Sequence, residues 1–224
     1  MTWIKICGMT NLEDALTAVE VGADAVGFVF YEKSPRNITV EAAREIVEKL
    51  PAGVEKVGVF VNETPARVST IADEVGLTAV QFHGDEYQNA KMYVTDRKTF
   101  ICIPAERFAM TSHEKGRPFG SVMALFPGNL SGIMLDSGTE GQRGGTGRPL
   151  DWHEARTWVS VLSQLHPVVL AGGLNNDNVS KAIAILKPWG VDVASGVEAS
   201  PGKKDPEKVR AFVEAVREID RKTS

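Results

Sequence analysis

A cysteine, a histidine and an aspartate end three short apolar runs: Cys7 in WIKICG, His83 in AVQFHG and Asp136 in IMLDSG. A thiol has an ordinary pKa of about 8.5, so modest help makes it a base near neutrality. A carboxyl group donates a proton when burial or a neighbouring anion keeps it protonated. Cys7 and Asp136 are therefore candidates for a base and an acid acting on one ligand. Each has a plainer reading as well: Cys7 as a small core residue, Asp136 as a turn cap, and His83, followed by Gly84 and Asp85, as a loop stabiliser. Cys7, His83 and Asp136 together raise the question of a metal ion. No close-spaced ligand pair supports one, and none is expected.

The glycines speak to a different ligand chemistry. Gly172 and Gly173 follow one apolar run, and Ser195 and Gly196 follow another. Small residues let backbone N–H groups approach an anion, and the start of a helix favours negative charge. Phosphate is the anion expected there, with simple turn geometry as the alternative. Arg36, in YEKSPRNIT, lies in a separate connection, expected to stand well away from those glycines, and carries the planar fork that suits a carboxylate. The stretch GTEGQRGGTGRP, with Arg143 and Arg148, has the composition of a lid or of a slack loop.

The elements that must carry these residues follow from alternation of short β-branched runs with helical patterns. Strands are predicted at 3–7, 25–30, 56–61, 79–82, 100–103, 132–135, 168–170 and 192–194. Most are continuous apolar runs, as strands covered on both faces should be. Helices are predicted at 12–21, 40–50, 65–75, 152–165, 178–186 and 206–219, with weaker patterns at 86–94 and 121–126. Asn11, Thr39 and Thr64 are placed as N-caps, and Pro65 occupies a first helical position where its missing N–H is harmless. Eight β/α units in 224 residues suit one closed (β/α)8 barrel, a single catalytic domain over 1–224. An open doubly wound sheet is the competitor, but ICGMTN after the first strand is not a GxGxxG turn. In a barrel the catalytic groups stand at the carboxyl ends of strands, where Cys7, Arg36, His83 and Asp136 fall, and phosphate sits on the seventh and eighth loops. Strands one and six lie three steps apart, so Cys7 and Asp136 are expected to face each other across the mouth. The similar strings VGADAVGF and WGVDVASG are read as shared turn grammar, with no functional weight.

Composition narrows the partners. Lys and Arg number 25 against 29 Asp and Glu, a formal net charge of −4 that offers no global attraction to nucleic acid or anionic membranes. No apolar stretch is long enough to span a bilayer, and MTWIK lacks the pattern of a secretory signal. With 2 cysteines, Cys7 and Cys102, a disulfide framework is not expected, and a reduced cytoplasmic setting is.

The ordered strings KICGMT, GFVFYEKSPR, VGVFVN, VQFHGDE, MLDSG, GGTG, AGGLN and VDVASGVEASPGKKDP resemble the phosphoribosylanthranilate isomerase family from end to end. The resemblance implies a (β/α)8 barrel that converts N-(5-phosphoribosyl)anthranilate to 1-(2-carboxyphenylamino)-1-deoxyribulose 5-phosphate, an Amadori rearrangement of tryptophan biosynthesis. It implies Cys7 as general base, Asp136 as general acid and Arg36 at the anthranilate end. Gly172, Gly173 and Gly196, with neighbours such as Ser195, bind phosphate, and His83 is assigned to the substrate. One acid and one base suffice, so no cofactor is expected. The partner is a small phosphorylated molecule, and the chain is expected to act as a monomer or homodimer. Phe82 replaces a common leucine and ASG a common SSG; repacking beside His83 and a lost hydroxyl at Ala194 are the expected consequences.

Overall fold

The computed structural model describes residues 1–83, 96–105, 130–137 and 151–223. Parallel strands β1 (Trp3–Cys7), β2 (Ala25–Phe30), β3 (Glu55–Val61), β4 (Ala79–His83), β5 (Lys98–Pro104), β6 (Gly132–Asp136), β7 (Val168–Ala171) and β8 (Gly190–Val193) run round in chain order. The eighth pairs back onto the first, which closes the barrel and excludes an open doubly wound sheet. Outside it lie α1 (Leu12–Glu20), α2 (Val40–Val47), α3 (Pro65–Val75), α4 (Trp152–Leu162), α5 (Val179–Leu186) and α6 (Pro206–Thr223). The fold is the expected (β/α)8 barrel. The predicted helices 86–94 and 121–126 and the glycine-rich stretch 138–149, with Arg143 and Arg148, lie outside the described residues. Among the described residues no helix is long and apolar enough to cross a membrane.

Strand alternation distributes the side chains. On β1, Ile4 and Ile6 turn out into the layer shared with the helices, while Trp3 and Cys7 turn into the barrel. Register partners in a parallel ladder share a face, so the inward row runs from Cys7 to Gly27 and on to Val57. Apolar side chains, among them Phe100, Met134 and Val169, fill the amino end of the barrel. Trp3 closes it, stacked on Phe100 at 5.5 Å and on Trp189 at 5.1 Å between ring centroids. Phe82 belongs to the outer layer, so its bulk repacks against helices and leaves the interior untouched.

The helix starts follow their caps. Asn11, Thr39 and Thr64 each accept a hydrogen bond from the backbone N–H three residues on, and Pro65 opens α3. The strand ends differ from expectation by up to two residues. The largest difference of consequence is β8, which begins at Gly190, so that Ala194 ends outside it and leads into a single 3-10 turn, Ser195–Val197. Beyond that turn lies an unforeseen antiparallel pair, β9 (Glu198–Ser200) with β10 (Lys203–Lys204).

Closure depends on the β1–β8 seam. Lys5 and Asp192 are register partners across it, and Lys5 Nζ donates to Asp192 Oδ1 at 2.8 Å with the lysine fully buried. Burial opposes the ammonium, but the Asp192 charge and hydrogen bond outweigh it and hold Lys5 above the usual lysine range. Below the seam, Asp220 of α6 accepts from the Thr2 backbone N–H and hydroxyl at 2.9 and 2.7 Å, and Arg217 bridges Thr2 and Asp24. Removing one member of a buried pair strands the other charge, which costs about 3–5 kcal/mol. We therefore expect Lys5→Met and Asp192→Leu each to destabilise the protein by about that amount in urea unfolding, and the double variant by far less. Equal and additive losses would remove the pair from the closure argument.

Candidate functional site

A cavity of about 420 Å³ opens among the carboxyl ends of the strands, a volume suited to a small-molecule ligand. Cys7 from β1, Arg36 from the connection after β2, His83 from β4 and Asp136 from β6 all line it. Gly172, Gly173 and Ser195 complete the wall on the side of β7 and β8. Residues as far apart in sequence as 7 and 195 meet because parallel strands deliver every carboxyl end to the same face of the barrel. Gly196 is the exception among the expected site residues and is not one of those that line the cavity. A Cβ there would lie 1.9 Å from the Leu174 carbonyl oxygen, so this glycine lets the seventh and eighth loops pack together. Gly172 combines both reasons for glycine: its φ is +78°, and a Cβ would come within 2.7 Å of Asp136 Oδ1.

Burial pushes the Cys7 thiol up from its ordinary range, and Lys5 partly offsets this by favouring the thiolate. The expected help to the thiol is thus present, but it is smaller than the burial that opposes it. Lys5 was not foreseen as part of the site. Two-residue alternation on β1 was the available signal, because an inward Cys7 makes Lys5 inward as well. Asp192, its partner, sits in one of the two similar strings and lines the cavity. The strings are not equivalent in the fold, since Asp192 is within β8 and Asp24 precedes β2.

Arg36 departs most from expectation. Its Nε and one Nη donate to the two carboxylate oxygens of Glu198, both at 2.7 Å, so its fork is already engaged by the protein. It also stands closer to the eighth loop than expected, because only β1 separates β2 from β8 around the ring. Glu198 in turn accepts from Lys204 Nζ at 3.0 Å, and Lys204 donates to the Ala194 carbonyl at 3.1 Å. Burial alone would raise Glu198, but the bonds from Arg36 and Lys204 outweigh it and hold the carboxyl below the usual range. At Ala194 the backbone oxygen is therefore employed although the side chain carries no hydroxyl.

Two further polar groups were missed. Gln81 Oε1 is buried at the cavity without a hydrogen-bond partner among the described residues, and Ser137 Oγ, next in sequence to Asp136, is likewise buried without one. Gly27 also matters by what it lacks: a Cβ at this position would meet Cys7 Sγ at 2.7 Å and Lys5 Cε at 3.1 Å. The structure further gathers a trio that sequence spacing concealed, His83, Cys102 and Asp136, on three adjacent strands.

Titratable side chains at the carboxyl end of a closed barrel, with glycine loops after the seventh and eighth strands, define a (β/α)8-barrel enzyme. The family model for N-(5'-phosphoribosyl)anthranilate isomerase matches residues 4–215. The isomerase of Citrifermentans bemidjiense is 46% identical over 219 residues, covering 98% of each chain. The crystal structure of the Thermotoga maritima isomerase superposes with a TM-score of 0.80 at 40% identity, covering 97% of this chain and all of that one. Another structure of such an isomerase, in complex with reduced 1-(o-carboxyphenylamino)-1-deoxyribulose 5-phosphate, gives a TM-score of 0.77 at 39% identity over 97% of this chain and 100% of that one. This chain belongs to the N-(5'-phosphoribosyl)anthranilate isomerase family.

The space beside Cys7 yields a direct test. Gly27→Ala forces the thiol or the Lys5 stem aside, and a displacement of about 1 Å costs on the order of 100-fold in rate. The expected result is a kcat reduced about 10- to 100-fold with a KM within a few-fold of the parent, measured by steady-state kinetics on a variant whose circular dichroism is unchanged. An unaltered kcat would show that Gly27 does not set the thiol's position or that turnover does not depend on that thiol.

Proposed function

We propose that Cys7 is the base and Asp136 the acid of the isomerase reaction, working in a single catalytic unit over residues 1–224. The chain converts N-(5'-phosphoribosyl)anthranilate to 1-(2-carboxyphenylamino)-1-deoxyribulose 5-phosphate, a step of tryptophan biosynthesis. The observation that carries the assignment is the arrival of Cys7 and Asp136, from β1 and β6, at one cavity between Arg36 and the glycine loops.

Asp136 protonates the furanose ring oxygen while the anilino nitrogen lone pair expels it, which opens the ring and leaves an iminium at C1. That cation acidifies the C2 hydrogen, and the Cys7 thiolate removes it to give the enolamine. Reprotonation at C1 and loss of the C2 hydroxyl proton complete the ketose. Electrons move from C2 to C1 within the substrate, so proton transfers alone carry the chemistry. The phosphate lies against Gly172, Gly173 and Ser195, and Gly196 holds those two loops together. The anthranilate carboxylate takes the Arg36 N–H groups that Glu198 leaves over, with the guanidinium already oriented. Val29, Val59 and Tyr31, which pack beside Cys7, supply the apolar wall for the ring. His83 and the Gln81 oxygen face the sugar, whose hydroxyl groups supply the Gln81 oxygen with a hydrogen-bond donor.

The test is consumption of freshly made phosphoribosylanthranilate, followed by loss of its fluorescence. The parent should turn over, and folded Cys7→Ala and Asp136→Asn variants should lose about 100- to 10,000-fold in kcat/KM, the usual worth of a positioned base or acid. Because turnover needs the Cys7 thiolate together with a protonated Asp136, kcat/KM should follow a bell-shaped pH profile, with its thiol pKa above the ordinary range because burial raises it. Lys5 lowers that pKa, so Lys5→Met should move the thiol limb of the profile to still higher pH. A folded Cys7→Ala variant with unimpaired turnover would overturn the assignment of the base.

A further inference from the structure

His83 at the end of β4, Cys102 within β5 and Asp136 at the end of β6 offer a nitrogen, a sulfur and an oxygen that all lie within 4.8 Å of one another. The register explains the convergence. His83 pairs with Cys102, and Cys102 with Met134, two residues before Asp136, so all three side chains share the inner face. His83 and Asp136 reach the open cavity, while Cys102, only 2% exposed, lies behind them. Cys102 has no part in the proton transfers proposed above, and Cys7 is not a member of this cluster.

We infer that His83, Cys102 and Asp136 bind a thiophilic divalent ion of the zinc class, and that the bound ion stops the isomerase by occupying the Asp136 carboxylate. The binding half stands on geometry alone; the inhibitory half rests on the role proposed for Asp136.

Imidazole, thiolate and carboxylate form a donor set that zinc accepts and that magnesium and calcium, which favour oxygen, do not. Ligand bonds of roughly 2.0–2.3 Å place tetrahedral donor atoms roughly 3.3–3.8 Å apart, so the trio must close by about 1 Å through side-chain torsion. On binding, the Cys102 thiol releases its proton to solvent, and thiolate plus carboxylate then neutralise the divalent charge. The fourth position faces the cavity and takes a water molecule. An ion seated there stands where the acid must approach the sugar.

The experiment titrates the metal-free full chain with Co²⁺ alone, reading the near-ultraviolet thiolate-to-cobalt charge-transfer band and the visible bands of tetrahedral cobalt. One equivalent should bind with a thiolate band, and Zn²⁺ should displace it. Cys102→Ala should abolish the band, His83→Gln should weaken binding by more than the roughly 10- to 100-fold that loss of a supporting outer group costs, and Cys7→Ala should leave the band intact. Zn²⁺ should inhibit the parent reversibly on chelation, whereas Cys102→Ala should keep its basal turnover and resist inhibition. Absence of a thiolate band, its survival in Cys102→Ala or its loss in Cys7→Ala would each overturn the site. Cobalt and zinc bound through Cys102 with turnover undiminished would support the site and overturn the role of Asp136 as acid.

Discussion

The ion pair of Lys5 and Asp192 is the point at which barrel closure and active-site chemistry become one problem. A closed parallel sheet has to join its first and last strands, and here a buried lysine and aspartate face each other in register across that joint. Unpaired, the fully buried lysine would be costly to keep charged; paired with Asp192, it holds the two strands in one alignment. The same lysine lies close enough to Cys7 to favour its thiolate. The seam thus fixes where the thiol stands and also how readily it ionises.

The inward row of the first strand carries a gradient from packing to chemistry. On β1 it reads Trp3, Lys5, Cys7: an aromatic plug, a buried charge, then a reactive group at the rim. A residue nearer the amino end gains rigidity and loses contact with ligand. Cys7 occupies the compromise position, buried enough to be held firmly and burdened with a raised pKa as a result. The glycine beside it on β2 completes the arrangement, since any larger side chain would compete for the same volume.

Around the mouth, preorganisation comes from the short β9–β10 pair after the eighth strand. Glu198 grips the Arg36 fork, Lys204 grips Glu198, and Asp14 accepts from the Lys204 backbone N–H at 2.7 Å and from Lys203 Nζ at 3.1 Å. A connection from the second strand is thereby tied to one from the eighth and to α1. An arginine so held loses little further freedom when a ligand arrives, which converts more of its interaction into affinity.

Local signals were sufficient for the eight barrel strands to within two residues at their ends, the helix caps at Asn11, Thr39 and Thr64, and the (β/α)8 order, because each depends on residue type over a few positions. The placement of Cys7, Arg36, His83 and Asp136 at one mouth was legible for the same reason, given that parallel strands present their carboxyl ends together. What three-dimensional packing decided is pairwise and distant in sequence. Lys5 finds Asp192, Arg36 is taken by Glu198 instead of standing apart, and Gly196 is pressed against Leu174 where the seventh and eighth loops meet. Cys102 joins His83 and Asp136 although neither lies near it along the chain. Sequence determines which groups exist and which face of a strand they take; only the register of a closed barrel determines which of them meet.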